Sequence, residues 1–236
     1  MRVKVQTTPT ALLAAGVFCG LIAGVAAQAP TVKQMHESLA LVNDVEYSVV
    51  RGDYQGAADP ARALSMQTNP RDLPAKGHPF MDEVRTLAVR TASASDIQNA
   101  AQSVAGLVSA CGKCHAALGT PVRIAPPARP AMSGARGEML QHNWAVSLLA
   151  VGLQGPTDAV WKQGADELAT AKVAPADAAQ DVKDAETELR AIAKRAIAAG
   201  DEASRTVVYG ELIAACGTCH GLLGRVLGPG VPGAPK

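Results

Sequence analysis

Aromatic side chains are nearly missing from this chain: two Trp, three Tyr and two Phe make up 3% of 236 residues. Sandwiches and barrels rely on aromatic and β-branched residues, so the shortage argues against an all-β fold. An excess of one charge is missing too, with 22 Lys and Arg against 21 Asp and Glu. That balance leaves no basic footprint for nucleic acid. Beyond the first 29 residues no apolar run is long enough to cross a membrane. What is present is alanine, 46 residues of it, within an apolar content of 48%. That content excludes a disordered chain, and the wealth of Ala, Leu, Glu, Lys and Gln predicts an all-α fold. Two α domains of about 100 residues each, sharing seven aromatics, would have thin cores, so another bulky group is expected to fill them.

The amino terminus reads as a secretory signal peptide over residues 1–27. Arg2 and Lys4 precede the apolar stretch Ala11 to Ala26, which ends in Val25-Ala26-Ala27-Gln28-Ala29, a small-residue cleavage site. The alternative is a membrane anchor, for which roughly 16 apolar residues are short. Cys19 lies within the stretch and follows Phe18, whereas a lipoprotein signal needs a small residue there. Losing Arg2 and Lys4 leaves 20 basic and 21 acidic side chains, a net charge near −1. The mature chain is expected to be soluble and periplasmic, with no membrane span.

The remainder reads as two related halves, 31–118 and 133–226. A Pro-rich linker, 119–132, joins them, and a Pro/Gly-rich flexible tail, 227–236, follows. Ala110-Cys111-Gly112-Lys113-Cys114-His115 returns 105 residues later as Ala215-Cys216-Gly217-Thr218-Cys219-His220. At an offset of 104, Met35 matches Met139, Val42 matches Val146, Val49 matches Leu153 and Leu64 matches Leu168. Such an echo indicates duplication.

Apolar periodicity predicts four helices per half. In the first half they cover about Val32 to Val50, Ala57 to Met66, Phe80 to Thr91, and a stretch ending at Leu118 that the capping-box pattern Ser95-Asp96-Ile97-Gln98 would open. In the second, one spans about Gly137 to Leu153, Gly155-Pro156 starts the next, a long one covers about Pro175 to Ala199, and the last carries Cys216 and His220. Four helices with short loops per half predict two tandem four-helix bundles.

Cys-x-x-Cys-His, present twice, is the attachment motif of c-type haem. Residues three or four apart share one helix face. Cys111 and Cys114 can therefore reach two vinyl groups on one porphyrin edge while His115 binds the iron; Cys216, Cys219 and His220 repeat the arrangement. Three other readings compete. Zinc binding would need pairs that lie 105 residues apart. A dithiol redox motif usually opens a helix after a strand. Disulfides are the third, since four cysteines remain in an exported chain.

Each half resembles a class II c-type cytochrome, the cytochrome c-prime group, in which a four-helix bundle carries its haem motif on the last helix. The resemblance covers about residues 31–226 and is specific at the two motifs. No Met follows either motif before its half ends, unlike the class I pattern. For electron-carrying members it implies a distal methionine from the first helix, and Met35 and Met139 fit that role. The plain alternative for a Met on an apolar helix face is core filler. His36 and His142 are rival ligands, and an open five-coordinate iron is a further alternative; His78 reads as a surface residue. Trp144 and Trp161 align with Ala40 and Ala57, so the two sites are expected to differ and the haems to have unequal potentials.

The expected function is electron transfer through two c-type haems to redox partner proteins, without enzymatic activity of the chain itself. The alternatives are a gas-binding or catalytic haem protein with an open sixth position, and a haem subunit docked to a larger oxidoreductase.

Overall fold

The computed structural model describes residues 30–222 apart from 121–123, 132–133, 156, 173 and 175–176. The signal-peptide segment and the tail lie outside the described residues, as do Pro156 and Pro175. Among the described residues the chain is all-helical. The first half contains α1 (Pro30–Val50), α2 (Ala58–Ser65), α3 (His78–Ala92) and α4 (Ile97–Leu118), with a 3-10 turn at Ala75–Gly77 before α3. The second contains α5 (Gly134–Gln154), α6 (Asp158–Thr170), α7 (Gln180–Ala198) and α8 (Glu202–Leu222).

The helix ends follow local chemistry. Asp96, rather than Ser95, caps α4: its carboxylate accepts from the Asn99 backbone N–H at 2.7 Å. A carboxylate is the stronger acceptor and also favours the positive end of the helix dipole. α1 ends where Gly52 takes φ +81°, a conformation that costs side chains with a Cβ. α7 starts at Gln180, later than its apolar pattern alone predicts: residues 177–179 before it are not helical, and the Ala174 N–H donates to the Glu186 carboxylate at 2.7 Å.

Within the first half α1 packs on α2, α2 on α3, α3 on α4, and α4 returns to α1. Within the second, α5 packs on α6, α6 on α7, α7 on α8, and α8 returns to α5. The halves also pack extensively on each other. α4 lies along α8 in antiparallel sense: Ile97 meets Gly217, the Gln102 amide donates to Val207 O at 3.2 Å, and Glu202 pairs with Lys113 and with the Ser109 hydroxyl. α4 additionally touches α5, and α1 touches α8. One apolar cluster runs through both halves, with Ala100, Ala101, Ala105 and Ala110 of α4 fully buried in it. Small side chains at these positions let helix backbones approach closely.

Residues 124–131 have no regular secondary structure and touch α5 and α6. The Trp144 indole donates to Pro127 O at 2.7 Å, and Arg129 stacks on that indole while pairing with Glu167 at 2.8 Å. Trp161 is buried; its indole donates to Ala196 O at 2.8 Å beneath the Arg205 guanidinium.

Candidate functional site

The second Cys-x-x-Cys-His motif occupies the end of α8, where the three- and four-residue spacing puts its chemistry on one face. Cys216, Cys219 and His220 line an open-mouthed cavity of about 110 Å³. From α5 come Met139 and His142, from α7 Ala185, Glu186 and Leu189, and from the first half Tyr47 and Val50 of α1 with Arg51 just after it. Met139 and His142 therefore both meet the motif across one cavity. Met35 is half-buried at the matching position of α1, while His36 is exposed. His78 is partly buried at the first residue of α3. The two indoles, Trp144 and Trp161, are not among the residues lining this cavity; each is held elsewhere by the contacts described above.

The first motif occupies the matching stretch of α4, with Cys114 buried and Cys111 and His115 partly buried. Both motif histidines reach across to the other half. His220 Nδ1 lies 2.7 Å from Val50 O at the end of α1, and His115 Nδ1 lies 3.1 Å from Gln154 O at the end of α5. Val50 and Gln154 are 104 residues apart, so they are the same position in the repeat. Ring nitrogens beside carbonyls carry the proton, which leaves Nε2 as the lone-pair donor. Burial also holds the His220 imidazole towards its neutral form, against the raising effect of the Val50 carbonyl.

Close approach is what makes these contacts. A methyl at Gly217 would stand 2.5 Å from Val49 O, and a methyl at Gly112 would drive into Leu153 O. Both motifs read Cys-Gly-x-Cys-His, and the shared glycine was the one sequence signal of this packing.

All four thiols are free. Desolvation, reinforced by the neighbouring cysteine, pushes Cys111 and Cys216 each up to about 12. They are neutral thiols, unlike redox or nucleophilic cysteines, whose pKa is depressed. Among the described residues no three His, Cys, Asp or Glu side chains converge to hold a metal ion by themselves. A haem iron asks less of the protein, taking one or two axial ligands. Arg51 supplies a further fit: its guanidinium stacks on Tyr47 at this cavity, and its Nε is buried without a partner. A cofactor carrying carboxylates at its rim would meet that donor.

Sequence reasoning passed over Arg51 and Glu186 at this cavity. Glu186 is buried, pairs with Arg190 at 2.6 Å and lines the cavity. Its counterpart 105 residues earlier is Met81, which is buried and apolar. Where the second half places His142, the first has Ser38, whose hydroxyl is taken up by Gln34 O and the Gln67 side chain. Protein-family models, curated proteins and solved structures offer no match to this chain.

Across α1 and α8, Glu46 faces Tyr209, although no hydrogen bond of ordinary geometry joins them. Loss of solvent pushes the Glu46 carboxyl up to about 7. No helix among the described residues is long and apolar enough to cross a membrane.

Proposed function

We propose that this chain is an exported dihaem c-type cytochrome that carries electrons between redox partner proteins, each half being a four-helix bundle with its haem motif on the last helix. The observation that carries the reading is the meeting of Cys216, Cys219 and His220 with Met139 around one largely apolar cavity. The closed order of helix contacts within each half, with chain neighbours packed and the last helix returning to the first, agrees with a bundle.

When bound, haem supplies reversible one-electron exchange at its iron. The chain does the rest. Cys111 with Cys114, and Cys216 with Cys219, would hold the porphyrin edge as thioethers, each neutral thiol adding its S–H across one vinyl group. His115 and His220 present Nε2 to the iron while a carbonyl holds Nδ1–H. Met139 would offer a soft thioether from across the cavity, with His142 as its rival; Met35, its repeat counterpart, would take that role at the first site. Leu189, Leu168 and Val146 would give the cofactor an apolar wall. Arg51 neutralises cofactor carboxylates with a guanidinium from the other half.

Haem iron with methionine and histidine gives a low-spin spectrum and a raised potential. The test is a set of oxidised and reduced visible spectra of the full-length protein beside Met35→Ala, Met139→Ala and His142→Ala. We expect each methionine variant to convert one haem of two to a high-spin form. A wild-type protein already high-spin at either iron would place it with gas-binding haem proteins, and a protein without covalent haem would end the proposal.

A further inference from the structure

We propose that the last turn of each half's first helix positions the iron-facing histidine of the other half, so that the two haem centres form one interdependent unit. This rests on the haem reading above. The acceptors are backbone carbonyls, Val50 O for His220 at 2.7 Å and Gln154 O for His115 at 3.1 Å. Carbonyls in a last helical turn lack an intrahelical donor and carry the negative end of the helix dipole. At the end of α1 the Gly52 N–H closes on Val49 O and the Asp53 N–H on Ser48 O, so Val50 O is left to the imidazole.

A carbonyl that accepts from Nδ1–H fixes the plane of the ring and raises the basicity of Nε2. Because the acceptor is the backbone, the repeat tolerates Val at one position and Gln at the other. The contact is reciprocal, so each centre depends on a helix end belonging to the half that carries the other centre. Gly52 lies at this junction: at φ +81° a side chain is strained, and its Cβ would stand 2.7 Å from Gly217 O. It lies in the first half, yet the contacts it touches belong to the second motif.

The test uses the full-length, haem-loaded protein, reduced and saturated with carbon monoxide to make the iron diamagnetic. Histidine is labelled with ¹⁵N, and valine or glutamine carbonyls with ¹³C. We expect two ring N–H resonances whose solvent exchange is slowed by about a hundredfold or more. One should correlate across its hydrogen bond with a labelled valine carbonyl, the other with a labelled glutamine carbonyl. In Gly52→Ala the valine-linked resonance should lose its protection and the glutamine-linked one should keep it. Covalent haem with both ring N–H groups exchanging at the solvent rate would overturn the inference and leave the haem reading standing. Loss of the glutamine-linked resonance alone in Gly52→Ala would also overturn it. Should Gly52→Ala fail to mature, the wild-type correlations still decide. Absence of covalent haem from the wild type would instead sink the reading on which the inference rests.

Discussion

Replacing Gly217 with alanine should loosen the junction of the halves by an amount that the geometry allows to be worked out. The new Cβ would stand 2.5 Å from Val49 O and 2.9 Å from Ile97 Cδ1, where real Cβ contacts stay above 3.0 Å. The oxygen belongs to backbone, so α1 and α8 must separate by about 0.5 Å or more. Overpacking of this kind costs about 1–3 kcal/mol. The same shift stretches the neighbouring 2.7 Å bond from His220 to Val50 O towards the limit of hydrogen bonding, which costs about 1 kcal/mol more. Against this stands up to about 1 kcal/mol gained from alanine's helix propensity. The net loss is about 1–3 kcal/mol, and with a shift of roughly 2–4 °C per kcal/mol for a chain of this size, Tm should fall by about 2–12 °C. Gly106→Ala is the internal control. It makes the same change within α4, but its Cβ would meet only the methyl ends of Leu87 at 3.0 and 3.2 Å, which can swing aside. Its Tm should hold or rise. Thermal unfolding of both holo variants by circular dichroism provides the comparison, and equal Tm values for the two would refute the close-approach reasoning.

Gly112→Ala, the counterpart at the other junction, should likewise unfold below wild type in the same assay, since its methyl would enter Leu153 O. Glu46 holds its proton up to about pH 7 in the fold, against 4.5 for a free carboxyl. Between those values the folded state binds more protons than the unfolded one, so stability should fall as pH rises, by at most about 3 kcal/mol in all. Glu46→Gln should flatten that slope when denaturant midpoints are compared at pH 5 and pH 8. On the proposed haem reading, removing the buried carboxylate with Glu186→Gln should raise the reduction potential of the haem at the second motif, because a nearby negative charge favours the oxidised iron. An effect on the order of 1 kcal/mol at an effective dielectric near 20 is about 40 mV for a one-electron couple, and a redox titration in which both potentials stay put would rule it out.

Helix identity was legible in the sequence because each helix buries one stripe. Val42, Val45 and Val49 are spaced for α1, and all three are fully or nearly fully buried. The four motif cysteines and two histidines stood out in the sequence by their repeated fixed spacing, and the structure sets each motif on a single helix, α4 or α8. What periodicity cannot state is the neighbour against which a buried stripe packs. The stripe of α4 looks the same whether it faces only α1 and α3 or also α8, and it faces all three. The crossing of His115 and His220 was hidden for a related reason: their acceptors are backbone carbonyls, which leave no residue type to recognise. Glu186 escaped notice because a charged residue in a helix usually faces solvent, and its burial depends on Arg190 and the Ala174 N–H together. The tryptophans drew attention for their size, yet their positions are explained by indole hydrogen bonds to Pro127 and Ala196 carbonyls.

The reciprocal junction has the form of an isologous dimer made within one chain. Val50 touches His220 and its repeat counterpart Gln154 touches His115, which is the self-matching pattern of two copies related by a two-fold axis. In a dimer of separate chains such composite sites would come apart on dilution. Here the covalent connection makes the second half's arrival intramolecular, at an effective concentration of about millimolar order for a short connection. Both junctions therefore survive at protein concentrations where free copies would part, and both are lost together wherever the connection is cut and the halves are diluted.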